Sequence, residues 1–174
     1  MAGRRSHAVV TAEAPTHEEL LPFVSAVTSV ADHGALRPWR LIELRGDSRE
    51  LLGAAFVETS GLFGEDAARL AAKPLRASLL IAIVAIHQPS FKVAEWEQDA
   101  AAAGVGHLLS LVLNGAGWGV MWRTGGHTRA DAVRRVHGLA DNEKLLGWLY
   151  VGRPEKERPE KKAPFDPESV LSSL

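Results

Sequence analysis

Apolar positions change their period several times along the chain, and each change predicts an element. Leu20, Leu21, Val24, Val27 and Val30 recur at helical spacing. Immediately before them, Thr16-His17-Glu18-Glu19 is a capping box: the Thr16 hydroxyl caps the first amides and Glu19 reaches back. This helix is expected to run to about Asp32, with Pro22 late for a first-turn proline. Past a loop through Asp32-His33-Gly34 and Pro38, the period drops to two. Trp39, Leu41 and Glu43 alternate with Arg40, Ile42 and Leu44, which predicts a strand over 39–45. Asp47 or Ser48 is expected to start a helix to about Val57. A turn follows at 61–64, then a short helix over 65–72 that ends at Pro74.

Residues 78–87 are an aliphatic, β-branched run and the best candidate for a central strand buried on both faces. Gln88-Pro89-Ser90 breaks it. A long helix follows over 93–115, polar at its start and almost wholly apolar afterwards, so it belongs in a core or a subunit interface. Glu95, Glu97 and Asp99 read as a solvated helix start that complements the helix dipole. Gly104 and Gly106 cost helix propensity and mark close approach of another helix. The glycine-rich turn at 115–119 leads to a short strand over 120–124, a surface helix over 128–136 and a last strand over 145–151. The order helix, strand, helix, helix, strand, helix, strand, helix, strand describes an α+β sandwich with helices covering a sheet.

Composition narrows the function classes. The chain has 174 residues, a soft prior for one domain over 1–174, with 153–174 as a proline-rich C-terminal arm. Twenty Lys+Arg balance twenty-one Asp+Glu, so no overall basic field gathers nucleic acid or anionic lipid. The absence of Cys excludes disulfides, thiolate metal sites and Cys nucleophiles. The apolar stretches 78–86 and 100–113 fall short of the roughly 20 residues of a membrane span, and no secretory leader is visible. A cytoplasmic protein without membrane or nucleic-acid partners is therefore expected. The cations divide into fourteen Arg and six Lys, which directs attention to where the Arg sit.

Few patterns carry chemistry by themselves. Arg4-Arg5-Ser6 offers two guanidinium forks and a hydroxyl, a match to a phosphate, although a basic pair near a terminus is more often simply solvated. Trp122-Arg123-Thr124 places a cation and a hydroxyl at a strand end. The seven His are scattered without ligand spacing, so no metal site is expected. No nucleophile elbow, P-loop or dinucleotide glycine fingerprint is present, and no protein catalytic group is assigned.

Taken in order, the pieces resemble the nitroreductase family, in particular its short single-domain members. The matching features are Arg4-Arg5-Ser6, Ala14-Pro15-Thr16, Ala31-Asp32-His33 and Pro38-Trp39. After these come Lys92-Val93, Trp96-Glu97-Gln98, Trp122-Arg123-Thr124-Gly125 and Gly147-Trp148-Leu149-Tyr150-Val151-Gly152. The resemblance runs from Arg4 to about Pro154. It implies a three-layer sandwich with a mostly antiparallel central sheet, and a homodimer whose C-terminal arm extends over the partner subunit. It also implies an FMN-dependent oxidoreductase that carries hydride from NAD(P)H to small electron-poor acceptors, nitroaromatics or quinones, by a ping-pong mechanism. On this resemblance Arg4, Arg5 and Ser6 hold the FMN phosphate and ribityl chain. His33 and Ser29 approach the flavin of the partner subunit, and Trp122, Arg123 and Thr124 close the site. The 114–119 turn lies where nicotinamide contacts are expected.

The residue types present are consistent with that assignment. Hydride chemistry belongs to the cofactor, so no dyad or nucleophile is required, and donors at the flavin's pyrimidine edge stabilise the charge that grows there on reduction. Three departures keep an alternative open: only Met1-Ala2-Gly3 precede Arg4, Arg37 stands where the family usually has Gln, and Ala8 or Val9 replaces a further Arg. The alternative is a non-catalytic dimeric binding protein of the same fold with weakened or lost flavin binding.

Overall fold

A computed structural model of the chain describes residues 4–155 and 165–173. Its elements follow the expected order: α1 (His17–Val27), β1 (Trp39–Leu44), α2 (Asp47–Glu58), α3 (Gly64–Ala71), β2 (Leu79–Ile86), α4 (Glu95–Gly115), β3 (Gly119–Arg123), α5 (Asp131–Val136) and β4 (Glu143–Gly152). Among the described residues the strands form one sheet of order β1-β2-β4-β3, and every neighbouring pair is antiparallel.

The period of two along β2 divides the protein into layers. Leu80, Ala82 and Val84 face a core with Leu52 and Phe56 of α2, Val133 of α5, Leu145, Trp148 and Tyr150. Leu79, Ile81 and Ile83 face the opposite core, with Leu20 and Val27 of α1 and Val105, Leu109 and Leu113 of α4. A strand covered on both sides needs an apolar residue at every position, which is why 78–87 reads as an unbroken run. The three-layer α+β sandwich is therefore present as expected.

Several local expectations are corrected. The capping box forms, with Glu19 N donating to Thr16 Oγ1 at 3.2 Å and Thr16 N to Glu19 Oε2 at 2.8 Å, but α1 stops at Val27 and not near Asp32. The helix α2 takes Gly46 as its N-cap, at φ +49°, and the Ser48 hydroxyl donates back to Arg45 O at 2.6 Å without capping an amide. The surface helix expected over 128–136 is a 3-10 turn, Gly126–Arg129, followed by the six residues of α5, whose Ala132 and Val133 are buried. The start of α4 is not merely solvated. Asp99 accepts from Lys144 Nζ at 2.5 Å and bonds the His87 ring at 3.0 Å, and Glu97 is tied to His33.

Two irregularities shape the edge of the sheet. Beside Ile83 and Val84 the pairing of β2 with β4 slips by one residue, leaving Leu146 as the extra residue of a bulge next to Gly147. Gly147 has φ +140°, and a Cβ there would lie 2.6 Å from Trp122 Nε1 and collide with the Arg123 carbonyl. Only a residue without a side chain lets β3 and the Trp122 indole come this close. The outer edge of β3 is met by the N-terminal segment, where Ser6 bridges Val120 in parallel and His7 N donates to Val120 O at 3.1 Å.

Past β4, Arg153 fixes the chain. Its guanidinium lies 3.8 Å over the Trp118 ring and its Nε donates to Glu13 Oε1 at 3.0 Å. Of the expected 153–174 arm, residues 156–164 and 174 lie outside the described residues, as do Met1-Ala2-Gly3. Residues 165–173 contain one 3-10 turn, Pro167–Ser169. No helix among the described residues is long and apolar enough to cross a membrane.

Candidate functional site

The edge strand β3 brings two of the expected segments together. Ser6 sits opposite Val120, with Arg4 Nη1 3.5 Å from its hydroxyl. Three residues farther along the same strand, roughly 10 Å at strand rise, stands Arg123. Alternation along β3 sends Trp122 toward α4 and Arg123 to the other side of the sheet. The Trp122 indole packs on Gly106, where a Cβ would lie 2.8 Å from it, and meets the His107 ring edge-on at 4.7 Å. Gly106 is thus a point of close approach, to a strand residue and not to another helix, whereas Gly104 takes Val30 from the end of the α1 segment.

On the opposite face, Arg123 lies 5.1 Å over the Tyr150 ring and opens onto a cavity of about 290 Å³. Phe56, Lys73, His127 and Tyr150 line it together with the Trp122-Arg123-Thr124 segment. The His127 ring stacks on Phe56 at 4.5 Å. Burial and the neighbouring Lys73 both push His127 below the ordinary imidazole value, and burial raises the Tyr150 phenol to about 12 against the pull of Arg123 and Arg76. At neutral pH the cleft therefore holds a neutral imidazole, a neutral phenol and two fixed cations.

Two donors at the end of β3 are conspicuous, one on each face of the sheet. Trp122 Nε1 and Arg123 Nε are buried, and neither has a partner among the described residues. A buried donor left unpaired costs about 1–3 kcal/mol, so such groups in a native fold point to a missing acceptor. Lys73 and His127 escaped the sequence reading. Lys73 opens the 3-10 turn Lys73–Arg76 and His127 lies within Gly126–Arg129, and only the tertiary fold sets them beside Arg123. The one local signal was that each lies in a short cationic segment next to a strand.

Ser29 and His33 lie elsewhere, on the connection between α1 and β1. The Ser29 hydroxyl donates to Ala26 O at 3.0 Å and is exposed. His33 bonds Glu97 of α4 through Nδ1 at 2.9 Å. Asp32 Oδ2 accepts from Arg37 N at 2.7 Å, and with Arg37, Val30 and Trp39 it lines a separate hollow of about 270 Å³. Within one chain the structure thus joins Arg4-Arg5-Ser6 and Trp122-Arg123-Thr124 along one sheet edge and leaves Ser29 and His33 as a second, outward-facing group. The 114–119 turn closes on itself, with Trp118 N donating to Leu113 O and Gly117 N to Asn114 O, both at 3.0 Å. No group of three or more His, Cys, Asp or Glu among the described residues is placed to hold a metal ion.

Comparison with known proteins agrees with this architecture. Residues 1–153 match the model of the nitroreductase family. The chain is 31% identical over 160 residues to the Escherichia coli K12 protein named "Putative NAD(P)H nitroreductase YdjA", an alignment that covers 89% of this chain and 86% of that one. A Haemophilus influenzae protein of the same description is 30% identical over 155 residues, covering 86% and 83%. Among solved structures, a nitroreductase-like family protein from Bacillus cereus superposes with a TM-score of 0.83 at 22% identity, over 99% of this chain and 92% of that one. The FMN and NADPH-dependent nitroreductase NfnB of a Sphigopyxis strain gives 0.76 at 15% identity, over 99% and 95%.

Proposed function

Because the chain belongs to the nitroreductase family, and its relatives are named as NAD(P)H nitroreductases, we propose that it is an FMN-dependent NAD(P)H oxidoreductase acting on electron-poor small molecules, nitroaromatics or quinones, as a homodimer of single-domain subunits. The observation that carries the reading is the unpartnered buried donor Arg123 Nε at a cleft that Lys73 makes cationic, with a second unpartnered donor, Trp122 Nε1, on the α4 side of the same strand.

That donor set fits FMN. A phosphate and polyol ask for cations and hydroxyls, and a flavin ring asks for a flat apolar wall with donors at its pyrimidine edge. Arg4, Arg5 and Ser6 supply the first along the edge of β3. Arg123, Lys73 and Thr124 supply the second around an aromatic cavity. When bound, FMN provides the hydride-accepting and hydride-donating chemistry, so reductant and acceptor use one site in turn.

The chain's own residues would bind, orient and bias. The guanidinium of Arg123 stays charged throughout and, with the Lys73 ammonium, favours negative charge on the ligand. The Phe56–His127 stack and Tyr150 keep water from one wall of the cavity. In the proposed dimer the outer side of α4, with His107, Leu108 and Val112 incompletely buried, packs at the seam. The Ser29–His33 group then serves the partner's site.

The test is a visible spectrum of the purified protein with and without added FMN, followed by NADPH and NADH oxidation with a nitroaromatic and a quinone. The proposal expects a flavin spectrum and acceptor-dependent oxidation. A folded dimer that stays colourless with FMN in excess would instead mark a binding protein of the same fold.

A further inference from the structure

The loop between α1 and β1 is the most strained segment of the described chain. Its Ala35 and Arg37, at φ +52° and +47°, are the two non-glycine residues with positive φ among the described residues, and Gly34 beside them stands at +75°. Such conformations persist only where the surroundings over-determine them. Here they do: Asp32 Oδ2 accepts from Arg37 N, Gln88 Nε2 donates to Leu36 O at 2.8 Å, and Val93 packs so closely on Gly34 that a Cβ there would lie 3.1 Å from its Cγ2. The loop is thus clamped onto the start of α4 and the segment before it. What the clamp presents is His33, whose side chain remains 56% exposed.

The bond that orients His33 is chemically specific. Glu97 uses both carboxylate oxygens: Oε2 accepts from Ala94 N at 2.9 Å, closing the first turn of α4, and Oε1 meets His33 Nδ1 at 2.9 Å. The His33 bond and then the Ala94 amide hold the Glu97 carboxyl below its usual value, so it is ionised at neutral pH and can only accept. A proton must therefore sit on His33 Nδ1. In its neutral form the ring then offers a bare Nε2, an acceptor, and no described residue bonds it.

We propose that Glu97 is the positioning residue of the cofactor site: it fixes the Nδ1–H tautomer and the orientation of His33, which presents Nε2 across the dimer seam to the partner's flavin. The inference rests on the flavoenzyme reading above and adds to it a residue that does not touch the cofactor. Orientation of an imidazole through its second nitrogen is a general means of setting which ring atom meets a ligand.

Glu97→Gln tests it. The introduced amide can still accept from Ala94 N through its oxygen, and its NH₂ now faces His33 Nδ1 as a donor. In flavin-free protein at about pH 8, where imidazole is neutral, ring ¹⁵N shifts should report Nδ1–H in the wild type and Nε2–H in E97Q. An Nε2–H aimed at the flavin stabilises the charge gained on reduction, so the FMN midpoint potential should rise in E97Q. In a His33→Gln background E97Q should leave that potential unchanged.

Identical tautomers in the two proteins, or a tautomer switch with an unmoved potential, would overturn the inference while leaving the flavin reading intact. Wild-type protein that takes up no FMN would overturn that reading and this inference with it, and the flavin-free ¹⁵N result would show which had failed first. A melting temperature within a few degrees of the wild type, about the shift of a 1 kcal/mol change, certifies that E97Q is folded. Should it melt lower, Glu97→Asp must restore the Nδ1–H signature, or the role is purely structural.

Discussion

Two polar regions of this molecule are built to opposite rules. At the junction of α4 with the segment 87–94, every buried side-chain donor and acceptor finds a partner inside the chain. Gln98, 1% exposed, accepts from Gln88 N at 2.8 Å and donates to Gln88 O at 2.9 Å, and His87, Asp99 and Lys144 form a closed cluster beside it. At the end of β3, Arg123 Nε in the cleft and Trp122 Nε1 on the α4 side of the strand are buried and unpartnered, and Lys73 lines the cleft with Arg123. The hollow near the junction is the larger, about 570 Å³ against 290 Å³. Size is therefore the poorer guide to function here. In the proposed reading, the polar groups satisfied at the junction describe architecture, and those left unsatisfied at the end of β3 await a ligand.

That contrast can be broken in several ways, and the largest effect is expected where both rules meet. Gly147→Ala forces a Cβ against the Arg123 carbonyl and Trp122 Nε1 at a φ that side chains avoid. We expect a loss of about 3 kcal/mol in denaturant unfolding together with loss of FMN binding. Gln98→Ala comes next. It strips the amide that pairs the Gln88 backbone and should lower stability by about 2 kcal/mol, read from the urea midpoint. FMN affinity should move far less than in the cleft variants.

Lys73→Ala and Arg123→Ala reverse that pattern. Each should weaken FMN binding by about tenfold, the size of one lost charge-assisted contact. Unfolding stability should stay within about 1 kcal/mol, because neither cation completes an ion pair among the described residues. A fluorescence titration with FMN beside a urea melt measures both quantities. If stability falls and affinity does not, the contrast between the two regions is wrong.

The smallest expected effect is on pH dependence and belongs to a third buried group. His137 accepts from Trp148 Nε1 at 2.9 Å and bonds Val133 O through Nδ1 at 2.7 Å. Burial holds its folded value below that of the unfolded chain, the Val133 bond working the other way. The sign follows: the contribution is fully present above about pH 6.5 and is lost as pH falls below it, when the unfolded chain takes up the proton first. The melting temperature should drop between pH 7.5 and 5. His137→Gln, whose amide can still accept from Trp148, should flatten that slope. At lower pH the loss passes to carboxylates held below their usual values: Glu143 by Arg40, and Asp99 by Lys144 and His87, which outweigh the raising effect of its burial.

The sequence shows best what is decided locally. The α1 capping box sits within four residues, and the doubly buried strand declares itself because every position of β2 must be apolar. What it hides is set by partners far along the chain. Glu97 reads as a solvated helix start because His33, which changes its meaning, is 64 residues away. Lys73 and His127 carry no motif, and the folding of α2, α3 and the turn after β3 puts them in one cavity. The end of α1 escaped for a similar reason: Val30 belongs to the helical period but packs against Gly104 after the helix has stopped. The candidate site was half legible. Arg4-Arg5-Ser6 and Trp122-Arg123-Thr124 were readable as motifs, whereas the edge of β3 that aligns them is visible only in the fold.

The most direct measurement of the central claim is an equilibrium titration of FMN into the wild-type protein with its oligomeric state read in parallel. The account predicts saturable binding at one FMN per chain in a homodimer, weakened when Arg123 or Lys73 is removed. Protein that is folded and dimeric yet shows no saturable FMN binding would contradict it.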